Sequence, residues 1–118
     1  MQLQQQLANL DHALALERVG GDERLLREIA VLFLDECPKM MAEIRSAVEA
    51  GDAVTLELAA HSLKGSVGNF GADKVFQASL RLEAIGRSRD LSSAREALGD
   101  LASAVDSLHP ALVALGSD

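Results

Sequence analysis

The middle of the chain reads Ala59-Ala60-His61-Ser62-Leu63-Lys64-Gly65-Ser66-Val67-Gly68-Asn69-Phe70-Gly71-Ala72. Its apolar residues continue a helical periodicity that begins near Asp52, and Asn69-Phe70-Gly71 is typical of a tight turn. Residues three and four apart share a helix face, so Lys64 and Gly65 would lie one turn from His61. The stretch therefore predicts a helix followed by a turn. On the helix, a histidine lies one turn from a lysine and from a glycine without a side chain, and this arrangement suits the attachment of an anion.

Apolar residues recur at helical spacing along the rest of the chain as well. Asp11, Asp22 and Asp52 precede such segments as N-cap residues, and glycines follow several of them. Pro38 predicts either a break or a bend, and Pro110 predicts a kink or break near Leu108-His109. The predicted helices cover 12–18, 22–36, 38–51, 52–68, 73–85 and 93–115, with a stop at Gly86, a polar loop over 87–90, and Ser93 with Glu96 as a capping box.

No segment shows the period-two alternation of a half-buried strand. We therefore predict an all-α fold, an antiparallel up-down four-helix bundle with a short additional N-terminal helix. The 118 residues make one domain of this kind by length, with 1–10 as a flexible or helical extension.

Composition excludes several classes of function. The chain has 11 Lys and Arg against 18 Asp and Glu, a formal charge of −7, which argues against a nucleic-acid partner. The single cysteine, Cys37, has no partner for an internal disulfide and is expected to be a buried free thiol. The sequence has neither the features of a signal peptide nor a membrane span, which favours a cytoplasmic protein without membrane insertion.

His61 is predicted to point away from the core of the bundle. Projected at about 100° per residue, Leu56, Ala60, Leu63 and Val67 form a stripe roughly 60° wide, and His61 lies roughly 130° from its centre. The same outer side carries two apolar residues and two glycines, with Lys64 and Glu57 on the flanks. The two apolar residues are Val54 and Leu58, and the two glycines are Gly65 and Gly68. Either another molecule approaches this side closely, or Gly68 is a helix stop and Gly65 a packing contact.

A solvent-facing imidazole could act as a nucleophile, a base or a metal ligand. Only Glu57 offers a second ligand one turn away, and Lys64 would repel a cation, so no metal site is expected. Nucleophilic attack on a phosphoryl group fits better, because Lys64 could stabilise the added charge and Gly65 would leave room for it. The glycines Gly65, Gly68 and Gly71 close a helix rather than follow a strand, which excludes a nucleotide-binding loop. His12 and His109 lack this setting and are expected to be ordinary surface or packing residues.

Three motifs of the chain resemble the histidine-containing phosphotransfer (HPt) domain of bacterial multistep two-component phosphorelays. They are Ala60-His61-Ser62-Leu63-Lys64-Gly65-Ser66, Asn69-Phe70-Gly71-Ala72 and Leu82-Glu83. The likeness extends over most of the chain, since Gly20-Gly21-Asp22, Leu25-Leu26, Phe33, Pro38 and Gly51-Asp52 also stand in the order that the family shows.

The resemblance implies that His61 accepts a phosphoryl group from the aspartate of one receiver domain and passes it to that of another. By the same likeness Lys64 would stabilise the phosphoryl group and Gly65 would keep the histidine accessible. Glu83 matches a position near the histidine that is a glutamine in some relatives. The partners would be receiver domains of response regulators or of a hybrid sensor histidine kinase. Their acidic pocket would supply the Mg²⁺, so no cofactor is expected in this chain.

The exposed side of the His61 helix is our candidate docking surface. We expect Val54, Glu57, Leu58 and Gly68, together with Glu83, to contact the partner, and the protein itself to be a monomer. An alternative is a non-catalytic helical adaptor, or a domain that binds receivers without accepting phosphate. The intact His61, Lys64 and Gly65 favour phosphotransfer. Nothing in the sequence provides an ATP site for an autonomous kinase.

Overall fold

The computed structural model of the chain describes residues 10–117, and all regular structure in that range is helical. The predicted extension over residues 1–10 therefore lies outside the described residues, except for Leu10, which is buried. The described helices are α1 (His12–Arg18), α2 (Glu23–Ala50), α3 (Ala53–Gly68), α4 (Asp73–Ser88) and α5 (Ala94–Leu115). Between residues 10 and 117, no helix combines the length and the apolar character needed to cross a membrane.

The four long helices form a closed ring in which α2 packs on α3 and α5, and α4 packs on α3 and α5. Neighbours run antiparallel. In the α4–α5 pair, Arg81 forms an ion pair with Asp100, on the helix that runs back along α4. The rings of Phe33 in α2 and Phe70 after α3 lie 5.6 Å apart between their centroids. The predicted up-down bundle with a short N-terminal helix is confirmed.

Aspartates begin three of the helices, as the sequence predicts. The side chains of Asp11, Asp22 and Asp52 each accept a hydrogen bond from the backbone N–H three residues later, which satisfies one of the free donors of the first turn. The predicted capping box at α5 is wrong in part. Ser93 stands at the N-cap position, but its side chain makes no capping hydrogen bond.

Both prolines lie inside continuous helices. Pro38 is within α2 and Pro110 is within α5. The alternative of one long helix at Pro38 is therefore confirmed, and the alternative of a break at either proline is wrong. A proline inside a helix costs roughly 3 kcal/mol. On both sides of Pro38, however, α2 buries residues in one core, Phe33 and Cys37 before it and Met41 and Ile44 after it. Burial of that continuous face outweighs the local cost.

The stripe predicted for α3 faces the core. Its members Leu56, Ala60, Leu63 and Val67 are all fully buried. Burying a leucine or valine side chain contributes about 1.5–3 kcal/mol each, so this stripe fixes the rotation of α3 in the bundle. The opposite side of the helix is thereby turned to solvent.

The sequence predicted that α4 ends at Gly86, and this prediction is wrong. The helix continues to Ser88 and ends where Arg89 adopts a left-handed backbone with φ of 67°. A Cβ atom at Gly86 would lie 2.7 Å from the backbone nitrogen of Glu57 and 2.8 Å from the carbonyl oxygen of Ala53. Gly86 therefore allows α4 to touch the backbone of α3, and its role is close packing between the two helices.

Substitution of Gly86 by alanine should lower the free energy of unfolding by about 1–3 kcal/mol, because the added methyl forces the two backbones apart. Urea denaturation measures the change. Gly65→Ala is the matched control. A Cβ at that helical glycine meets nothing within 4 Å, so the control should gain up to about 1 kcal/mol from helix propensity. Two variants of equal stability would contradict the close-packing role of Gly86.

Candidate functional site

His61 projects from the outer side of α3, as the sequence predicts. Its side chain is 64% exposed, and the apolar side chains of Val54 and Leu58 on the same helix are exposed as well. The stripe that faces the core sets this orientation, because a helix that buries one side presents the other. His61 is thus accessible to a second molecule without any movement of the bundle.

Glu83, in α4, binds both His61 and Lys64. Its Oε2 lies 2.7 Å from His61 Nδ1, and its Oε1 accepts a hydrogen bond of 2.7 Å from Lys64 Nζ. The Glu83 side chain is only 5% exposed, although His61 is largely open to solvent. The two α3 side chains therefore cover a buried carboxylate, and that carboxylate holds both of them in place.

The pKa of Glu83 is lowered, chiefly by the hydrogen bond from Lys64, while burial opposes the shift and the hydrogen bond from His61 adds to it. Glu83 is consequently ionised at neutral pH and can only accept hydrogen bonds. The shared hydrogen of the His61 contact must then sit on Nδ1. In the neutral ring Nε2 keeps its lone pair, so the arrangement leaves a defined nucleophilic nitrogen that the carboxylate does not occupy.

Arg87 extends this cluster toward the start of α3. Its Nε donates to Glu57 Oε2 over 3.0 Å, and its Nη2 lies 3.4 Å from Glu83 Oε2. Glu57, which we expected at the docking surface, thus has its carboxylate in an ion pair within the chain. The described cluster contains two carboxylates and two cations, so the charged side chains around the imidazole balance.

The two glycines of the exposed side differ in their surroundings. Gly65 is exposed, and an added Cβ would meet open space. The alternative that Gly65 is a packing contact is therefore wrong. Gly68 is the last residue of α3, and a Cβ there would be 3.9 Å from the ring of Phe76 in α4, an ordinary contact distance. Only Gly65 keeps space clear beside His61.

The sequence did not reveal the part played by Arg87. It assigned residues 87–90 to a loop because Gly86 was taken for a helix end, and a loop residue has no fixed neighbour. In the structure α4 continues to Ser88, which places Arg87 one helical turn after Glu83. The signal that could have found it is the i, i+4 spacing of a glutamate and an arginine.

The other candidate residues lie apart from this cluster. His12 begins α1 and His109 lies in α5, and neither has a hydrogen bond of its side chain to Glu83. Cys37 is buried, and burial raises the pKa of its thiol. Within residues 10–117, no group of three or more His, Cys, Asp or Glu side chains is arranged to hold a metal ion.

Acid should weaken the Glu83 cluster. Because the pKa of Glu83 in the folded protein is below its ordinary value of 4.5, the stability it contributes is present above that value and is lost as pH falls through the lowered pKa. The difference in unfolding free energy between wild type and Glu83→Gln should therefore shrink between pH 6 and pH 3 in denaturation experiments. Titration of other acids, such as Asp52, occurs in both proteins and cancels. A difference that does not change with pH would contradict the ionised pair.

Comparison with known proteins assigns the family. The model of the Hpt domain matches residues 28–111, a range that includes α3, α4 and the whole histidine cluster. Among solved structures, the chain is similar to histidine-containing phosphotransfer protein B from Pseudomonas aeruginosa PAO1, with a TM-score of 0.78 and 21% identity over 91% of this chain and 90% of the other. No curated protein matches the chain significantly. The chain belongs to the Hpt domain family and is a histidine phosphotransfer domain of a phosphorelay.

Proposed function

We propose that His61 is the residue that carries the phosphoryl group between receiver domains. The observation that supports this most directly is the hydrogen bond between His61 Nδ1 and the buried Glu83 carboxylate. It fixes the tautomer and leaves Nε2 on an exposed ring. The free nitrogen is thus the one that an incoming phosphoryl group can reach.

The transfer step follows from that geometry. The lone pair of His61 Nε2 forms the N–P bond as the bond between phosphorus and the aspartate oxygen of the donor receiver breaks, and the electron pair of that bond stays on the carboxylate. The Nδ1 proton remains between the ring and Glu83, so the ring of the phosphohistidine carries a positive charge. A protonated ring is the better leaving group, and the same step in reverse passes the phosphoryl group to the next receiver.

Lys64 is proposed to stabilise the phosphoryl oxygens. Its ammonium donates to Glu83 Oε1, and its side chain is 21% exposed. An ammonium has three donors, so Lys64 can reach toward a group on His61 from a position that Glu83 already fixes. Its one-turn spacing from His61 on α3 places both side chains on the same side of the helix.

Gly65 is proposed to give the partner access. The space where its side chain would stand is open, one turn from His61. A glycine inside a helix costs about 1 kcal/mol relative to alanine, and no packing contact within 4 Å requires one here. Clearance for the phosphoryl group and for the receiver that delivers it accounts for that cost.

The receiver is proposed to dock on the exposed side of α3. Val54 and Leu58 supply apolar surface there, and Leu58 is 62% exposed. We place Glu57 and Gly68 at the edge of this docking surface and Glu83 beneath it, since the Glu83 side chain is only 5% exposed. Because Glu57 and Glu83 are paired with cations of the chain, neither is free as a metal ligand, so the Mg²⁺ of the reaction is proposed to come with the receiver.

The setting of the reaction is also proposed. The receiver partners belong to response regulators or to a hybrid sensor kinase, and we place the exchange in the cytoplasm with the chain as a monomer, because its four-helix ring buries its own apolar seams. Nucleic acid is not a proposed partner. The adaptor alternative leaves the hydrogen bond between His61 and Glu83 without a role.

Phosphotransfer can be tested with a phosphorylated receiver domain and Mg²⁺. Wild type should acquire an acid-labile, alkali-stable label, and His61→Gln should acquire none, because amide nitrogen is not nucleophilic. The variants His12→Gln and His109→Gln are matched controls and should be labelled like wild type. Label that persists in His61→Gln would assign the phosphoryl group to another residue. Failure of every receiver of the source organism to label wild type would refute the function.

The docking surface can be tested with Leu58→Asp. A charge in the centre of an apolar contact should weaken receiver binding at least tenfold, which corresponds to about 1.4 kcal/mol, while circular dichroism shows unchanged helix content. Val113→Asp is the matched control, since Val113 is an exposed apolar residue of α5 away from His61. Titration calorimetry measures both. Equal affinity for the two variants would remove Leu58 from the docking surface.

A further inference from the structure

Arg87 has no role in the transfer step described above, yet it contacts both acidic residues of the cluster. Its Nε is bound to Glu57 at 3.0 Å, while its Nη2 lies at the longer distance of 3.4 Å from Glu83 Oε2. The Arg87 side chain is 67% exposed. Arg87 therefore makes its shorter contact with Glu57 and a looser one with the carboxylate that holds His61.

Transfer of a phosphoryl group changes the charge balance of this cluster. The phosphoryl group brings two negative charges, and the ring that keeps its Nδ1 proton brings one positive charge, so one negative charge is left in excess. Lys64 is the proposed partner of the phosphoryl oxygens, but it is also the closest cation to Glu83. When Lys64 turns to the phosphoryl group, Glu83 keeps the charged ring at Oε2 but loses the ammonium at Oε1. Loss of a partner from a buried carboxylate is costly, and a second cation close to Glu83 would offset it.

The two carboxylates differ in how well they can lose a partner. Glu57 keeps 31% of its side chain exposed, whereas Glu83 keeps only 5%. Water can therefore solvate Glu57 if Arg87 leaves it, but water has little access to Glu83. Arg87 and Glu83 are one helical turn apart on α4, and a short movement of the exposed guanidinium would shorten the 3.4 Å contact between them.

We propose that Arg87 is a positioning residue whose loose contact with Glu83 tightens when Lys64 turns to the phosphoryl group, and that Glu57 holds most of the guanidinium until then. In the unphosphorylated chain Lys64 pairs with Glu83, and Arg87 pairs closely with Glu57 and more loosely with Glu83. In the phosphorylated chain the pairs are Lys64 with the phosphoryl group and Arg87 with Glu83. The exchange keeps Glu83 ionised and therefore keeps the proton on His61 Nδ1. This inference rests on the proposed role of His61.

The proposed exchange of ion-pair partners can be tested by measuring the equilibrium constant for phosphoryl transfer between a receiver and His61. Arg87→Gln should shift that equilibrium away from His61 roughly two- to fivefold, the effect of losing one partly exposed ion pair. In a Glu83→Gln background the buried group is neutral, so the same substitution should change the equilibrium less than twofold. Arg87→Lys should restore most of the loss. Equal effects of Arg87→Gln in wild type and in the Glu83→Gln background would overturn the proposal, because an ion pair that only holds α3 and α4 together would act in both proteins.

Arg81→Gln is the matched control. Arg81 also lies on α4 and forms an exposed ion pair with a neighbouring helix, at 2.9 Å from Asp100 of α5. Its substitution removes one ion pair between helices and one positive charge, and should leave the phosphoryl equilibrium unchanged. A shift equal to that of Arg87→Gln would show a general effect of charge and overturn the specific role of Arg87.

A second measurement does not depend on any receiver. Phosphoramidate is used as a small-molecule phosphoryl donor to His61, and the Arg87 Nε–H signal is followed by NMR. The signal should move on phosphorylation of wild type by more than it moves in Glu83→Gln, because the direct influence of the phosphoryl group is common to both. Equal movement would refute the exchange of partners. If phosphoramidate labels His61 but no receiver does, the proposed function fails and this measurement still decides the role of Arg87.

Discussion

The histidine site depends on a carboxylate that is almost completely withdrawn from water. An ionised carboxylate at that depth needs donors, and Glu83 obtains them from His61 and Lys64 on the facing helix. Those two hydrogen bonds orient the imidazole, define which of its nitrogens is free, and place a cation beside it. Without the buried charge, His61 would be an exposed side chain with free choice of rotamer and tautomer.

The depth of Glu83 depends in turn on how closely α3 and α4 approach. Gly86 brings the backbone of α4 against Ala53 and Glu57, one helical turn before the level of His61. At the other end of the pair, the ring of Phe76 lies 3.9 Å from the place where a Cβ atom of Gly68 would stand. The close approach at Gly86 sets the register of the two helices in which the Glu83 carboxylate meets His61 and Lys64. A contact that contains no functional group thus determines the geometry of the reacting one.

Much of this could be predicted from the sequence. Helical periodicity and aspartate caps gave the elements, and projection of α3 gave the outward direction of His61, because both depend on residues close together in the chain. The partners of Glu83 could not be derived in that way, since the pairing of His61 with a residue 22 positions later depends on the register of two helices. Gly86 misled for the same reason, and so did the alternative of a break at either proline. Their local preference favours a helix end or a break, but packing against the neighbouring helices continues the helix through them.

The reacting residues and their supports all fall between Ala53 and Ser88, within the single hairpin of α3 and α4. Contacts between two helices joined by a short turn cost less loop-closure entropy than contacts between distant parts of a chain. Chemistry and its scaffolding are therefore separable in this domain. The outer faces of α2 and α5 can accumulate substitutions while the hairpin retains the same reactive nitrogen in the same electrostatic surroundings.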